Sequence, residues 1–532
     1  MTEFPATTAQ HDRAKRNAFT RFLDGVEWLG NLLPHPVTLF ALLALGIVLL
    51  SGIFGYFGVA VEDPRPAGSN GVADDGMIRA VSLVNGDGVR RIFTGLVDNF
   101  TGFAPLGVVL VAMLGVGVAE KSGLLSAAVR SMVMGAPPKL VTVAIVFAGI
   151  ISNTASEVGY VVLIPLGGAI YYALGRHPLA GMAAAFAGVS GGYSANLLIG
   201  TIDPLLAGIT TEAAQLIDAD YTVLATANWF FMFVSTFLVA GIGSLVSIYI
   251  VEPKLGPYDS SKADPTILDD GMMKPLTDIE RKGLRWAGIT LISVLAFMAL
   301  TLVPEWGILR NAETGDRMDS PFFDGFVVWI LIFFVAVGYA YGRAAKTMKT
   351  DRDVIDAMSA ALASLGLYIV LVFFAAQFVA FFGWTNLGAI TAVTGANFLV
   401  DTGMTGPGVF FLFILLCALI NLSLGSASAQ WAVTAPIFVP MLMLIGYSPE
   451  VIQAAYRIGD STTNIITPMM SYFGLILAWA TRYQRDLGVG TLIAMMLPYT
   501  IFFLTAWSVF FYLWTFVFGL PVGPGSPTFY TP

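Results

Sequence analysis

The chain has 532 residues, of which 56% are apolar and only 12% charged, with a formal net charge of −8. A soluble globular protein carries about twice that charged fraction, so this composition excludes a water-soluble enzyme or nucleic-acid-binding domain and points to an all-α polytopic membrane protein. A single cysteine, Cys417, excludes an intrachain disulfide and reads as inert packing within an apolar run.

Residues 1–35 are polar and reach Pro34-His35-Pro36 without an apolar core or a small-residue cleavage site, so the first apolar helix is expected to be retained. His11 and His35 read as solvated loop residues. Arg13, Lys15, Arg16 and Arg21 precede the first span, 37–61, and place the N-terminal segment in the cytoplasm. A Gly/Asp-rich stretch, 62–91, is expected as an outer loop. Residues 99–119 return to the cytoplasm, where Lys121, Arg130 and Lys139 flank an interfacial helix ended by Pro137-Pro138.

Residues 140–174 form two apolar arms split by Ser152-Asn153-Thr154-Ala155-Ser156-Glu157, and each arm is too short to span a bilayer. Arg176 follows on the cytoplasmic side, so the pair is expected as a re-entrant hairpin. An outward crossing over 178–204 is interrupted by a Gly-Ser-rich stretch through Asn196, and 222–251 returns inward. The segment 252–285 contains Lys254, Lys262, Lys274, Arg281, Lys282 and Arg285 and reads as a cytoplasmic linker between halves 36–251 and 286–520.

In the second half, 286–303 goes out, 326–341 comes in, and Arg343, Lys346, Lys349 and Arg352 mark the inside. A long helix from near Val354 to Phe382 follows. Residues 409–447 form the second split pair, entered from outside. Residues 450–481 make a broken inward crossing before Arg482 and Arg485, and 488–520 exits to a periplasmic tail, 521–532. The expectation is nine full crossings and two re-entrant hairpins. It assigns 20 Lys/Arg to the cytoplasm, 6 to the outside and Arg457 to the membrane, an asymmetry that agrees with the orientation.

The halves echo each other. Asn153 and Asn196 are 43 residues apart, as are Asn421 and Asn464. Each spacing joins an Asn in a split pair to an Asn in the following interrupted crossing. With the hairpins entered from opposite sides, this is an inverted repeat. Such repeats with discontinuous segments point to a secondary transporter with a site near the midplane.

Several residues in these segments can carry chemistry. Asn153, Ser156, Asn196, Asn421, Ser426, Ser428 and Asn464 supply the oxygen ligands that a dehydrated Na⁺ needs; the other reading is capping and interhelical bonding. Arg457 is the one basic residue placed within the membrane, with Asp460 at i+3 as its expected partner. The pair reads either as structural or as a two-donor contact for a substrate carboxylate. Asp203 reads as a proton carrier or a helix-end residue, and Glu157 is similarly open. Trp431 reads as a stacking surface for a flat ring or as packing. No phosphate-binding glycine loop and no His/Cys metal cluster occur, so no cofactor or resident metal beyond Na⁺ is expected, nor is enzymatic catalysis.

Ser152-Asn153-Thr154-Ala155-Ser156, Ser426-Ala427-Ser428-Ala429-Gln430-Trp431 and the run from Tyr456 through Arg457, Asp460 and Asn464 to Pro468 resemble the p-aminobenzoyl-glutamate transporter (AbgT) family across essentially the whole chain. The resemblance implies a homodimer in a bacterial inner membrane. It implies uptake of p-aminobenzoyl-glutamate or, alternatively, export of sulfonamide antimetabolites. It also implies functional roles for Asp203, Asn421, Ser428, Trp431, Pro449, Arg457, Asp460 and Pro468. The small-molecule partner is thus an aromatic carboxylate, with the carboxylate suited to Arg457 and the aryl ring to Trp431. An ion channel is the competing class, and the paired short-arm segments speak against it.

Overall fold

The computed structural model describes residues 34–65, 73–154, 159–259 and 275–531. His11, Ser156, Glu157, the basic N-terminal cluster and the middle of the 252–285 linker lie outside the described residues.

The first span is α1 (Pro36–Tyr56), opened by a Pro whose missing N–H costs nothing in a first turn. The expected outer loop contains a short antiparallel hairpin, β1 (Ala60–Glu62) with β2 (Met77–Arg79), and then the start of α2 (Gly86–Thr101). There follow α3 (Ala104–Lys121) and α4 (Leu124–Met134), the helix expected from the sequence before Pro137-Pro138. The first split pair is α5 (Val141–Ser152) and α6 (Ile164–Ala173), the latter entered through a π-helical turn at Gly159–Leu163. The interrupted crossing is α7 (Pro178–Phe186), a π-turn, irregular chain through Gly200, and α8 (Ile202–Ala214). Then come α9 (Trp229–Val246) and α10 (Glu252–Leu255).

The second half begins with α11 (Asp278–Leu302), closed at its start by a reciprocal Thr277/Glu280 capping box. It continues with α12 (Pro321–Asp324) and α13 (Phe326–Ala345). The expected long helix from Val354 to Phe382 is instead two helices, α14 (Asp351–Ser364) and α15 (Gly366–Trp384), separated at Leu365. α16 (Leu387–Asp401) was not assigned from the sequence. The second split pair is α17 (Val409–Leu424) and α18 (Ala427–Leu444), joined through Gly425 and Ser426. The broken crossing is α19 (Pro449–Thr463), an irregular stretch through Pro468, and α20 (Phe473–Tyr483); α21 (Val489–Tyr512) is the last long helix.

Eight helices among the described residues are long and apolar enough to cross a membrane, and one of them, α18, is an arm of the second split pair. Both interrupted crossings fall outside this set because each is divided into two shorter helices. On α1 and α11 the large apolar side chains of Leu42, Leu45, Leu49, Ile289, Ile292 and Phe297 are exposed. In lipid such surfaces carry no burial penalty.

At the centre, α19 is buried at every one of its residues, Glu450, Gln453, Arg457 and Asp460 included. It packs on α17, α18 and α21. Glycines let backbones cross closely at two of the helix contacts. A Cβ at Gly188 would lie 2.3 Å from the Val146 carbonyl oxygen of α5, and one at Gly459 would lie 2.5 Å from that of Ile414 in α17. Only small residues permit such crossings. The C-terminal tail also pins the start of α19: Ser448 donates its hydroxyl to the Pro527 carbonyl at 2.5 Å, and Tyr530 its N–H to Gly446 O.

Candidate functional site

Each split pair ends in an asparagine that grips the neighbouring broken crossing. Asn153 caps α5 and donates to Val189 O at 2.8 Å, while adjacent Thr154 donates to Asn196 Oδ1 at 2.6 Å. Near the end of α17, the Asn421 amide lies 2.8 Å from Asp460 O, 3.0 Å from Thr463 Oγ1 and 2.8 Å from Asn464 Oδ1. The equal 43-residue spacing thus corresponds to a direct side-chain bond in the second half. In the first half, the neighbour Thr154 makes it. Asn421 Oδ1 and Asp460 Oδ1 are both buried without a hydrogen-bond partner.

Arg457 is 1% exposed on α19. Its Nη2 donates to Asp203 Oδ1 at 2.5 Å and reaches Ser194 O at 3.4 Å, while Nε has no partner. Asp203, in the first turn of α8, accepts through Oδ2 from the Gly200 N–H at 2.6 Å. The expected Arg457–Asp460 ion pair is therefore corrected. Although i+3 spacing puts both residues on one face, the guanidinium extends off the helix to a carboxylate on α8, and among the described residues Asp460 forms no ion pair within 4 Å.

Trp431 is fully buried. Its indole stacks on Tyr456, with centroids 4.2 Å apart and planes at 24°, and its Nε1 donates to Thr210 Oγ1 at 2.9 Å. Thr210 donates in turn to Gln453 Oε1, and the Gln453 amide to Asn228 Oδ1. Within this conformation Trp431 is a packed and hydrogen-bonded core residue, so the expected aryl contact is not available to it.

A cavity of about 500 Å³ opens between the segments that interrupt the helices. Asn153, Asn464, Ser426 and Ser428 line it, together with Gly425 and Ser471. Ser426 caps α18, its hydroxyl accepting from Ala429 N. Glu120 and Ser364, both exposed, are among the lining residues and mark its solvent side. Arg457, Asp203, Trp431 and Asp460 are not among the residues that line it. Pro449 opens α19 after a Ser448 cap, and half-buried Pro468 sits in the irregular stretch beyond it. The sequence reading did not single out Tyr160, Tyr193, Tyr368 and Tyr472, which line the same cavity. Their positions beside helix interruptions were the available signal.

The sequence model of the AbgT transporter family matches residues 21–530. The chain belongs to the AbgT transporter family. This AbgT protein is 36% identical over 500 residues to the p-aminobenzoyl-glutamate transport protein of Escherichia coli (strain K12), covering 94% of this chain and 95% of that protein. Its fold is similar to that of the Alcanivorax borkumensis YdaH transporter, with a TM-score of 0.84, 46% identity, and coverage of 92% of this chain and all of that one. It is also similar to Neisseria gonorrhoeae MtrF, described as illuminating a class of antimetabolite efflux pumps, with a TM-score of 0.89, 60% identity, and coverage of 95% of this chain and all of that one. It is a multi-pass membrane transporter for small molecules.

Proposed function

We propose that this protein is a secondary active transporter of p-aminobenzoyl-glutamate or a closely related aryl amide of glutamate, driven by a gradient of H⁺ or Na⁺. The observation that carries the reading is the buried Arg457–Asp203 pair beside a polar cavity. A guanidinium held by one carboxylate is ready to exchange it for another. Release of the Asp203 contact frees Arg457 Nη2 for a substrate carboxylate. A cation that enters with the substrate anion couples its uptake to the ion gradient. For Na⁺ coupling, Asn153, Asn196, Asn421, Ser426 and Asn464, with neighbouring backbone carbonyls, are the ligand candidates. Ser428, Asp460 and Pro468 flank these candidates in the chain, and Pro449 sets the start of the helix that carries Arg457 and Asp460.

The reading includes nine crossings with two re-entrant hairpins related by an inverted repeat, a cytoplasmic N-terminus, a periplasmic C-terminus, insertion in a bacterial inner membrane, and a homodimer. The Asn421–Asn464 and Thr154–Asn196 contacts at the two helix interruptions support the repeat. The basic residues Lys121, Arg343, Lys346 and Lys349 support the orientation, under which the cavity is open to the cytoplasm.

A second reading, export of sulfonamide antimetabolites, is favoured by the 60% identity to MtrF. Such substrates need no carboxylate, and proton-driven export makes proton and drug oppose each other. Vesicles loaded with labelled p-aminobenzoyl-glutamate or a sulfonamide, with H⁺ and Na⁺ gradients imposed separately, distinguish the two. Flux independent of both gradients removes coupled transport altogether. Arg457→Ala, correctly inserted, abolishes flux of the glutamate conjugate; retained flux removes the role assigned to Arg457.

A further inference from the structure

Resting on that reading, we propose that the stacked pair Tyr160–Tyr472 is the aryl-recognition surface of the cavity, with Tyr472 the residue in contact with the substrate ring. The two rings are 4.6 Å apart and nearly parallel, with planes at 9°. Both line the cavity, Tyr160 almost fully buried and Tyr472 half-buried. Buried Tyr160 therefore backs a Tyr472 that retains accessible surface.

The backing is held in place. Tyr160 lies in the π-turn before α6, and its hydroxyl donates to Ser190 Oγ at 3.2 Å. Ser190 is itself buried and contacts Met470 Sδ at 3.2 Å, two residues before Tyr472. The stack therefore joins the second arm of the first split pair to the irregular stretch just before α20. A ring fixed from behind loses little rotamer freedom when a ligand stacks on it, which lowers the entropic penalty of binding.

The rest of the cavity suits an aryl amide laid on this surface. Tyr193 and Tyr368 add two aromatic walls from separate segments. Residues 425–428, at the N-terminus of an 18-residue helix, line the same space. Backbone N–H groups there favour an anionic group and suit one of the two glutamate carboxylates, leaving the other for Arg457 and the ring for Tyr472. A volume of about 500 Å³ is in the range of small-molecule sites. Trp431, with its face already taken by Tyr456, does not compete for this role.

The test is calorimetric binding of p-aminobenzoyl-glutamate to the detergent-purified full chain, with the aryl absorption band recorded in parallel. Tyr472→Leu is expected to weaken binding by about tenfold, the equivalent of about 1.4 kcal/mol and the size of a good aromatic stack. It also abolishes the band shift that stacking produces. Tyr472→Phe keeps the ring and so keeps both signals, with affinity changed by about twofold or less. Thermal unfolding and elution volume identify a Leu variant that fails to fold; the Phe variant then decides, because loss of the band shift in a folded Phe variant overturns the proposal. Unchanged affinity in folded Tyr472→Leu also overturns it while leaving the transport reading intact. A wild-type protein that binds neither p-aminobenzoyl-glutamate nor a sulfonamide overturns both.

Discussion

Arg457 and Asp203 are 254 positions apart in the chain, yet their side chains form a buried ion pair 2.5 Å long, with side-chain exposures of 2% and 10%. Removing one member of a buried pair leaves an uncompensated charge, at about 3–5 kcal/mol, whereas replacing both with apolar groups is often neutral or stabilising. Arg457→Met and Asp203→Leu should each lower the thermal stability of the detergent-solubilised protein sharply. The double variant should recover most of that stability yet show no vesicle flux of p-aminobenzoyl-glutamate. A double variant as unstable as the singles would contradict a simple paired-charge account.

Asn421 is fully buried, and its amide bridges Asp460 O, Thr463 Oγ1 and Asn464 Oδ1. An apolar residue of similar size leaves these acceptors unsatisfied, at about 1–3 kcal/mol for each fully deprived group. Asn421→Leu should therefore destabilise by at least about 2 kcal/mol. Asn153→Leu, which removes one short bond and one of 3.4 Å, should be milder. The ranking is measured by thermal inactivation of the two purified variants side by side.

Trp431 tests the difference between packing and ligand contact. Trp431→Ala opens a cavity in a fully buried site and should destabilise by about 3–5 kcal/mol. Trp431→Phe keeps a ring against Tyr456 and leaves the Thr210 hydroxyl donating to Gln453 Oε1. It should lie much closer to wild type in melting temperature and flux. A stable Phe variant without flux would assign the indole a direct transport role.

The start of α14 should respond to acid. Asp353 accepts from the backbone N–H groups of Lys349 at 2.7 Å and Thr350 at 2.8 Å, which hold its carboxyl below the ordinary range. Because the folded form favours the ionised carboxylate, its stabilisation is present above the ordinary carboxylate pKa and fades as pH falls through the lower folded value. Amides at the beginning of α14 should be protected near neutrality and lose that protection below about pH 4, after correction for intrinsic exchange. Asp353→Asn should show no such transition.

Much of the fold is legible in local sequence. Long apolar runs mark α1, α9, α11, α13 and α21 because a helix needs about 20 residues to cross lipid. The interruptions after Ser152 and at 464–468 are legible because clustered polar and hydroxyl residues in the first, and Asn464 and Pro468 in the second, weaken the helical ladder. The Asn spacing and the motif around Arg457 and Asp460 carry the family resemblance. The break at Leu365 is not legible in composition, because a one-residue interruption replaces no stretch of helix-forming residues.

The sequence by itself determined which segments are apolar, where helices stop, and which polar residues are carried into the membrane. Only the tertiary structure decided their partners. Spacing along one helix pointed Arg457 to Asp460, but packing of α19 against α8 supplied Asp203, a partner no local pattern encodes. The same packing closed Trp431 under Tyr456 and assembled four tyrosines from separate segments around one cavity. Helix periodicity is a property of neighbours in the chain. The contacts of a buried side chain are set by whichever distant segments fill the space around it.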